Sequence, residues 1–111
     1  RTQLTEQLAA YIASGCFKPG GRFPSVRELA ADAGVNPNTM QRALSELEDM
    51  GLIITNRTAG RCVTDDMEKI NNVRKKQAKK QVEAFLEKMK ALGFSRDEIA
   101  DVINEAIKEG E

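Results

Sequence analysis

Two helix-start signals separated by one short turn constrain this 111-residue chain more than any other feature. Ser25 stands three residues before Glu28, the spacing of a capping box, and predicts a short helix that stops at Gly34. Asn36 suits the N-cap and Pro37 the first helical position, so a second helix begins almost at once. Two helices joined so tightly predict a helix-turn-helix, although an ordinary helical hairpin has a similar pattern. The second helix has apolar side chains at helical spacing up to Gly51: Met40, Ala43, Leu44, Leu47 and Met50.

The segments on either side complete a winged form of this motif. Residues 2–14 predict a preceding helix that ends at Gly15, with Leu4, Leu8, Tyr11 and Ile12 on one face. Phe17 and Phe23 flank a turn-forming stretch, which predicts an ordered, packed loop. The β-prone residues 52–55 and 61–64 predict a hairpin, and Arg57 and Arg61 make its tip basic.

The rest of the chain predicts two helices. Asp65 and Asp66 can cap a long helix from about Met67 to Leu92, which Gly93 ends, and Ser95 with Glu98 forms a second capping box. The long apolar stripe exceeds what one short helix can cover, so a second chain is the natural partner, with packing on the winged domain as the alternative. The predicted dimerisation residues are Val82, Phe85, Leu86, Met89, Leu92, Ile99, Val102, Ile103 and Ile107.

These patterns predict a mainly α fold with one small β-hairpin (α+β). We expect residues 1–64 to form a winged helix-turn-helix domain and residues 65–111 to form a helical dimerisation hairpin.

Composition excludes several classes of activity. The chain has no histidine and only two cysteines, so it offers no histidine base, no catalytic triad and no ordinary zinc site. We therefore predict no enzymatic activity, no cofactor and no metal. Cys16 and Cys62 are read as small buried hydrophobic residues, with a redox-sensing thiol as the alternative. No apolar run is long enough to span a bilayer, and no leader opens the chain, which predicts a cytoplasmic protein without a membrane partner.

The distribution of charge is more informative than the net charge of zero. Residues 69–80 carry six basic side chains and no acid, whereas residues 97–111 carry six acids and one lysine. The basic cluster is consistent with a solvated helix face, with contact to DNA phosphates, or with packing against the acidic last helix. The six basic residues are Lys69, Arg74, Lys75, Lys76, Lys79 and Lys80.

Hydrogen-bond donors mark the first turns of the helix after Asn36, and its acids are confined to the second half. A recognition helix reads base edges with its N-terminal turns, where acids would repel phosphate. Donors also open the preceding helix and surround the hairpin tip, as expected for phosphate and groove contacts. The predicted DNA-binding residues are Ser25, Arg27, Asn36, Pro37, Asn38, Thr39, Gln41, Arg42, Arg57, Gly60 and Arg61. Alternatives are a solvated helix face and a winged-helix protein–protein adaptor with a helical oligomerisation hairpin.

The motifs of residues 4–64 resemble the N-terminal domain of GntR-type bacterial transcriptional regulators. The matching segments are residues 19–20, 23–30, 34–39, 42–44, 47–48, 51–53, 60–61 and 63–64. The resemblance implies operator contacts from Arg27, from the start of the recognition helix and from Gly60 in the wing. Pro37 and Gln41 stand where arginines are frequent in the family, and Arg61 and Cys62 replace the usual Thr-Phe of the wing.

The motif Asn36-Pro37-Asn38-Thr39, together with the short tail of residues 65–111, resembles the YtrA-type subfamily. In that group the tail is a dimerising pair of helices rather than a large ligand-binding domain. The resemblance implies a homodimeric repressor of a double-stranded DNA operator. It leaves the effector unknown, although a ligand could bind at the dimer interface.

Overall fold

A computed structural model describes residues 3–58 and 60–110 of the chain. The elements in order are α1 (Gln3–Ala13), α2 (Val26–Ala33), α3 (Pro37–Asp49), β1 (Ile53–Asn56), β2 (Gly60–Val63), α4 (Met67–Ala91) and α5 (Arg96–Glu109). The predicted combination of five helices with one two-stranded antiparallel hairpin is confirmed. Thr2 of the predicted first helix and Ala59 of the predicted hairpin turn lie outside the described residues.

The helix ends follow the local sequence signals. Ser25 accepts a hydrogen bond from the Glu28 backbone N–H at 3.2 Å, while the Glu28 carboxylate accepts one from the Ser25 N–H. Gly34 then closes α2 in the left-handed conformation, with φ of 67°, which a residue without a Cβ adopts at little cost. Two residues later the Asn36 side chain accepts the Asn38 N–H at 2.7 Å and starts α3. The predicted turn of the helix-turn-helix is therefore confirmed at both of its ends.

The first three helices bury one apolar core. The two helices of the motif contribute opposing side chains to it, and α1 packs against α3. The fully or nearly fully buried members are Leu8, Ala9, Ile12, Leu29, Ala30, Met40, Ala43, Leu44 and Leu47. Leu4, also predicted for this core, is partly buried against it. A polar link supplements the packing, because buried Thr5 donates a hydrogen bond to the Glu46 carboxylate.

The hairpin is joined along its outer edge to the loop between α1 and α2. β1 and β2 pair antiparallel, with Thr55 opposite Arg61. On the other side of β2, Phe23 N–H donates to the Arg61 carbonyl at 2.8 Å, and Val63 N–H donates to the Gly21 carbonyl at 2.9 Å. Residues 20–23 thus act as a short third strand, which confirms the prediction of an ordered, packed loop.

The first turns of α4 belong to the winged unit. The Asp66 carboxylate caps the helix by accepting the Glu68 N–H at 3.0 Å. Ile70 is then buried in the core of the winged helix, and Val73 packs partly against the same core. One compact unit consequently extends to Lys75, whereas the sequence predicted a boundary after residue 64. The physical reason is that the long apolar stripe of α4 serves two purposes, and its first members cover the winged core.

The second unit begins at Lys76 and contains the rest of α4 together with α5. The predicted capping box is present, because Ser95 N–H donates to Glu98 at 2.9 Å and Glu98 N–H donates to the Ser95 hydroxyl at 3.2 Å. Hydrogen bonding by the Ser95 backbone N–H, and to a smaller extent by the Ser95 side chain, lowers the pKa of the Glu98 carboxyl. Among the described residues of this unit, Ile99 alone is buried. This unit therefore leaves most of its apolar side chains uncovered.

The prediction that both cysteines are buried is wrong. Cys16 is exposed in the turn after α1, and Cys62 is half-buried in β2. Cys16 lies beyond the last buried position of α1, Ile12, so it misses the core. Cys62 alternates with the buried Val63 and therefore points to the opposite face of the hairpin.

Replacing Asn36 with alanine should destabilise the winged unit by about 1 kcal/mol, because the cap of α3 is lost. Chemical denaturation followed by circular dichroism measures this change. Asn38→Ala is the matched control, since Asn38 is exposed and its side chain makes no hydrogen bond within residues 3–58 and 60–110. Equal stability of the two variants would contradict the capping role of the Asn36 side chain.

Candidate DNA-binding surface

The first two turns of α3 present a polar, acid-free face. Its opposite face is the buried one described above, so the predicted recognition residues point away from the core. Asn36, Pro37, Asn38, Thr39, Gln41 and Arg42 are all exposed. The Asn36 side-chain oxygen is used as the helix cap, which leaves its amide N–H groups as donors. The structure therefore offers amide, hydroxyl and guanidinium groups on one exposed helix end.

The acids of α3 lie in its second half, and two of them have partners. Glu46 accepts the hydrogen bond from Thr5 of α1. Glu48 accepts a hydrogen bond from the Thr55 hydroxyl at 2.6 Å, and its other oxygen lies 3.5 Å from Nε of Arg61. These two carboxylates connect α3 to the rest of the winged unit, and no acid lies in the first turn of the helix.

The start of α2 and the wing form the two sides of one open cleft. Ser25 contributes from the helix start and Gly60 from the wing, and the cleft has a volume of about 550 Å³. Arg27 is exposed one residue inside α2. Arg22 also lines this cleft and is exposed, although it is not among the predicted DNA-binding residues. Arg22 belongs to no sequence motif that would indicate DNA binding. Its place beside the wing follows from the hydrogen bonds between residues 20–23 and β2.

The cations of the wing have different surroundings. Arg57 is exposed in the turn, where Asn56 accepts hydrogen bonds from both the backbone and the hydroxyl of Thr58 at 2.9 Å. Gly60 adopts φ of 77°, a value that L side chains rarely tolerate. Arg61, by contrast, is only half-exposed and is paired with Glu48. The predicted basic tip is therefore Arg57, while Arg61 lies inside β2.

Comparison with known proteins decides the family. Residues 1–63 match the family described as "Bacterial regulatory proteins, gntR family". The uncharacterised HTH-type transcriptional regulator YhcF of Bacillus subtilis is 34% identical over 101 residues, which are 91% of this chain and 84% of that protein. The chain belongs to the GntR family. It is accordingly a DNA-binding transcriptional regulator, as the sequence predicted.

Two further similarities define this GntR member more closely. A GntR family transcriptional regulator from Listeria monocytogenes superimposes with a TM-score of 0.81 at 34% identity, covering 93% of this chain and 90% of that one. The transcriptional repressor YtrA of Bacillus subtilis is 41% identical over 64 residues, which are 58% of this chain and 49% of YtrA. The resemblance to YtrA-type regulators is thereby confirmed.

The predicted dimerisation residues of this GntR regulator are mostly uncovered. Leu92 is 72% exposed, Ile107 61% and Val82 52%, and Phe85 and Val102 are also exposed. Leu86, Met89 and Ile103 are half-buried. Ile99 differs from the prediction because it is already buried within its own chain.

Neither a metal site nor a membrane span is found in the part of the chain that the structure describes. No three Asp, Glu or Cys side chains there are arranged to hold a metal ion. No described helix is long and apolar enough to cross a membrane.

Proposed function

We propose that this GntR regulator binds an inverted-repeat operator as a homodimer and represses transcription by occupying promoter DNA. The observation that carries the proposal is the exposed, acid-free start of α3, from Asn36 to Arg42. Amide and guanidinium groups match the hydrogen-bonding edges of bases in the major groove. The name of the relative YtrA, which describes a repressor, supports the sign of regulation.

The second unit supports the dimer. A stretch of 76–110 with one buried hydrophobic residue cannot bury enough apolar surface to be stable by itself. Exposed apolar side chains on both of its helices are typical of an interface. A second copy of the chain offers the same surface, as a two-fold symmetric interface requires. Two recognition helices would then read half-sites centred about one helical turn apart.

The test is a selection of bound duplexes from random DNA, combined with sedimentation of the free protein. We expect an enriched inverted repeat and a dimer at micromolar concentration. A monomer under these conditions would rule out the homodimer. Binding without preference over random duplex would rule out a specific operator.

Arg27→Ala and Gln41→Ala should weaken DNA binding in different ways. Arg27 opens α2 and is expected to contact phosphate, so its loss should weaken binding to all sequences and lower the salt slope by about one. Gln41 lies on the exposed face of α3, so its loss should relax the preference at one base pair by roughly 1–3 kcal/mol. Binding assays on a panel of single-base operator variants at several salt concentrations measure both effects. Identical profiles for the two variants would contradict the assigned roles.

A further inference from the structure

We propose that Arg61 is a positioning residue, which holds the wing, the recognition helix and the start of α2 together and does not itself contact DNA. This inference rests on the proposed function of the winged unit. It revises the expectation that Arg61 shares the role of Arg57 in the wing. The structure supports it through one side-chain contact and one backbone contact of the same residue.

The side-chain contact connects the wing to the recognition helix. Thr55 and Arg61 are cross-strand partners in the hairpin, so both side chains lie on the same face of the two strands. The Thr55 hydroxyl donates to one oxygen of Glu48 at 2.6 Å, and Arg61 Nε lies 3.5 Å from the other oxygen. One carboxylate on α3 thus receives a donor from each strand. The Arg61 side chain is 26% exposed and that of Glu48 is 31% exposed, so the pair is partly shielded from water.

The backbone contact connects the wing to the start of α2. The Arg61 carbonyl accepts the Phe23 N–H at 2.8 Å, and Phe23 is buried two residues before the helix cap Ser25. A further ladder bond, from Val63 N–H to the Gly21 carbonyl, extends this pairing. Arg61 therefore touches α3 through its side chain and the entry to α2 through its backbone. These two elements and the N-caps before them carry the predicted DNA contacts that lie outside the wing.

The charge of Arg61 is already balanced, whereas that of Arg57 is not. A cation paired with a carboxylate releases fewer counterions from DNA than one that neutralises a phosphate. Arg57 is exposed and makes no ion pair or hydrogen bond within residues 3–58 and 60–110. Arg57 is therefore the wing residue that contacts phosphate, and Arg61 fixes the position of the wing that carries Arg57.

Salt-dependent operator binding of the full chain distinguishes the two roles. Arg61→Ala and Glu48→Ala should each weaken binding by up to about fivefold, the range for a partly exposed ion pair, without changing the salt slope. The double variant should bind no more weakly than Glu48→Ala, because loss of the Glu48 carboxylate already removes its contact with Arg61. Arg57→Ala is the matched control, and we expect it to lower the salt slope by about 0.9. An equal fall in slope for Arg61→Ala, or tighter binding by Glu48→Ala, would overturn the proposal.

Amide hydrogen exchange of the free protein provides a second readout that does not depend on DNA. Exchange at Phe23 and along β1 and β2 should be faster in Arg61→Ala and Glu48→Ala than in Arg57→Ala. Unchanged exchange in both of the first two variants would overturn the positioning role even if binding fell. If the unmodified protein shows no preference for a selected operator, the proposed function fails, while exchange still decides whether Arg61 holds the wing.

Discussion

Replacing Phe85 with aspartate should convert the proposed dimer into monomers and weaken operator binding by roughly 10²–10⁴-fold. Phe85 is 39% exposed on the part of α4 that belongs to the second unit. Val82, about one turn earlier, and Leu92, just past the end of α4, are also exposed. A charge at this position would have to be buried unpaired in the proposed interface. Once the subunits separate, the second half-site no longer benefits from the high effective concentration created by the first. Sedimentation and operator binding on the same samples measure both changes.

Lys90→Gln is the matched control, because it changes the net charge by the same amount on an exposed position of α4. The helical repeat of roughly 3.6 residues places Lys90 away from the face of Phe85, so this variant should remain dimeric. A chain ending at Lys75, the limit of the first unit, should reproduce the weak binding of Phe85→Asp. A Phe85→Asp protein that stays dimeric and binds normally would show that α4 does not form the interface, and would favour the protein–protein adaptor.

Ile70→Ala should lower the free energy of unfolding of the winged unit by about 2–5 kcal/mol. Ile70 is 2% exposed and belongs to the same core as Leu44 and Leu47, which are fully buried. Removing most of its side chain loses apolar contacts and leaves a cavity that the surrounding helices fill only in part. Urea denaturation of the full chain, followed by a probe in the winged unit, measures the loss.

The control for this variant lies one turn earlier on the same helix. Met67 is 49% exposed, so Met67→Ala should change the stability by no more than about 0.5 kcal/mol. A loss of stability for Ile70→Ala as small as the one expected for Met67→Ala would mean that the start of α4 does not contribute to the winged core. A chain truncated after Thr64 lacks Ile70, and for that reason truncation at Lys75 gives the fairer test of the tail.

Features determined by neighbouring residues could be predicted from the sequence. The caps at Ser25, Asn36 and Ser95 each depend on a bond to a residue two or three positions away, and all three are present. The exposure of the donors at the start of α3 could also be predicted, because a helix that buries one apolar face exposes the opposite face.

Features that depend on distant partners could not be predicted in the same way. The pairing of Arg61 with Glu48 is not evident from the sequence, because Glu48 lies 13 residues earlier and on a different element, α3. The burial of Ile70 in the winged core is not evident from the sequence, because an uninterrupted helical period does not indicate where the partner surface changes. Ile99 was assigned to the interface for the same reason, although its own chain covers it.

The pairing of residues 20–23 with β2 also affects how the protein avoids aggregation. An isolated two-stranded hairpin presents two open edges, and each can accept a strand from another molecule. Here the outer edge of β2 is already hydrogen-bonded to Gly21 and Phe23, so the two edges are β1 and the short segment of residues 20–23. β1 is four residues long and ends in the polar pair Thr55 and Asn56. Such a short edge with polar side chains at its end is a poor template for intermolecular sheets, even though Ile54 is exposed on it.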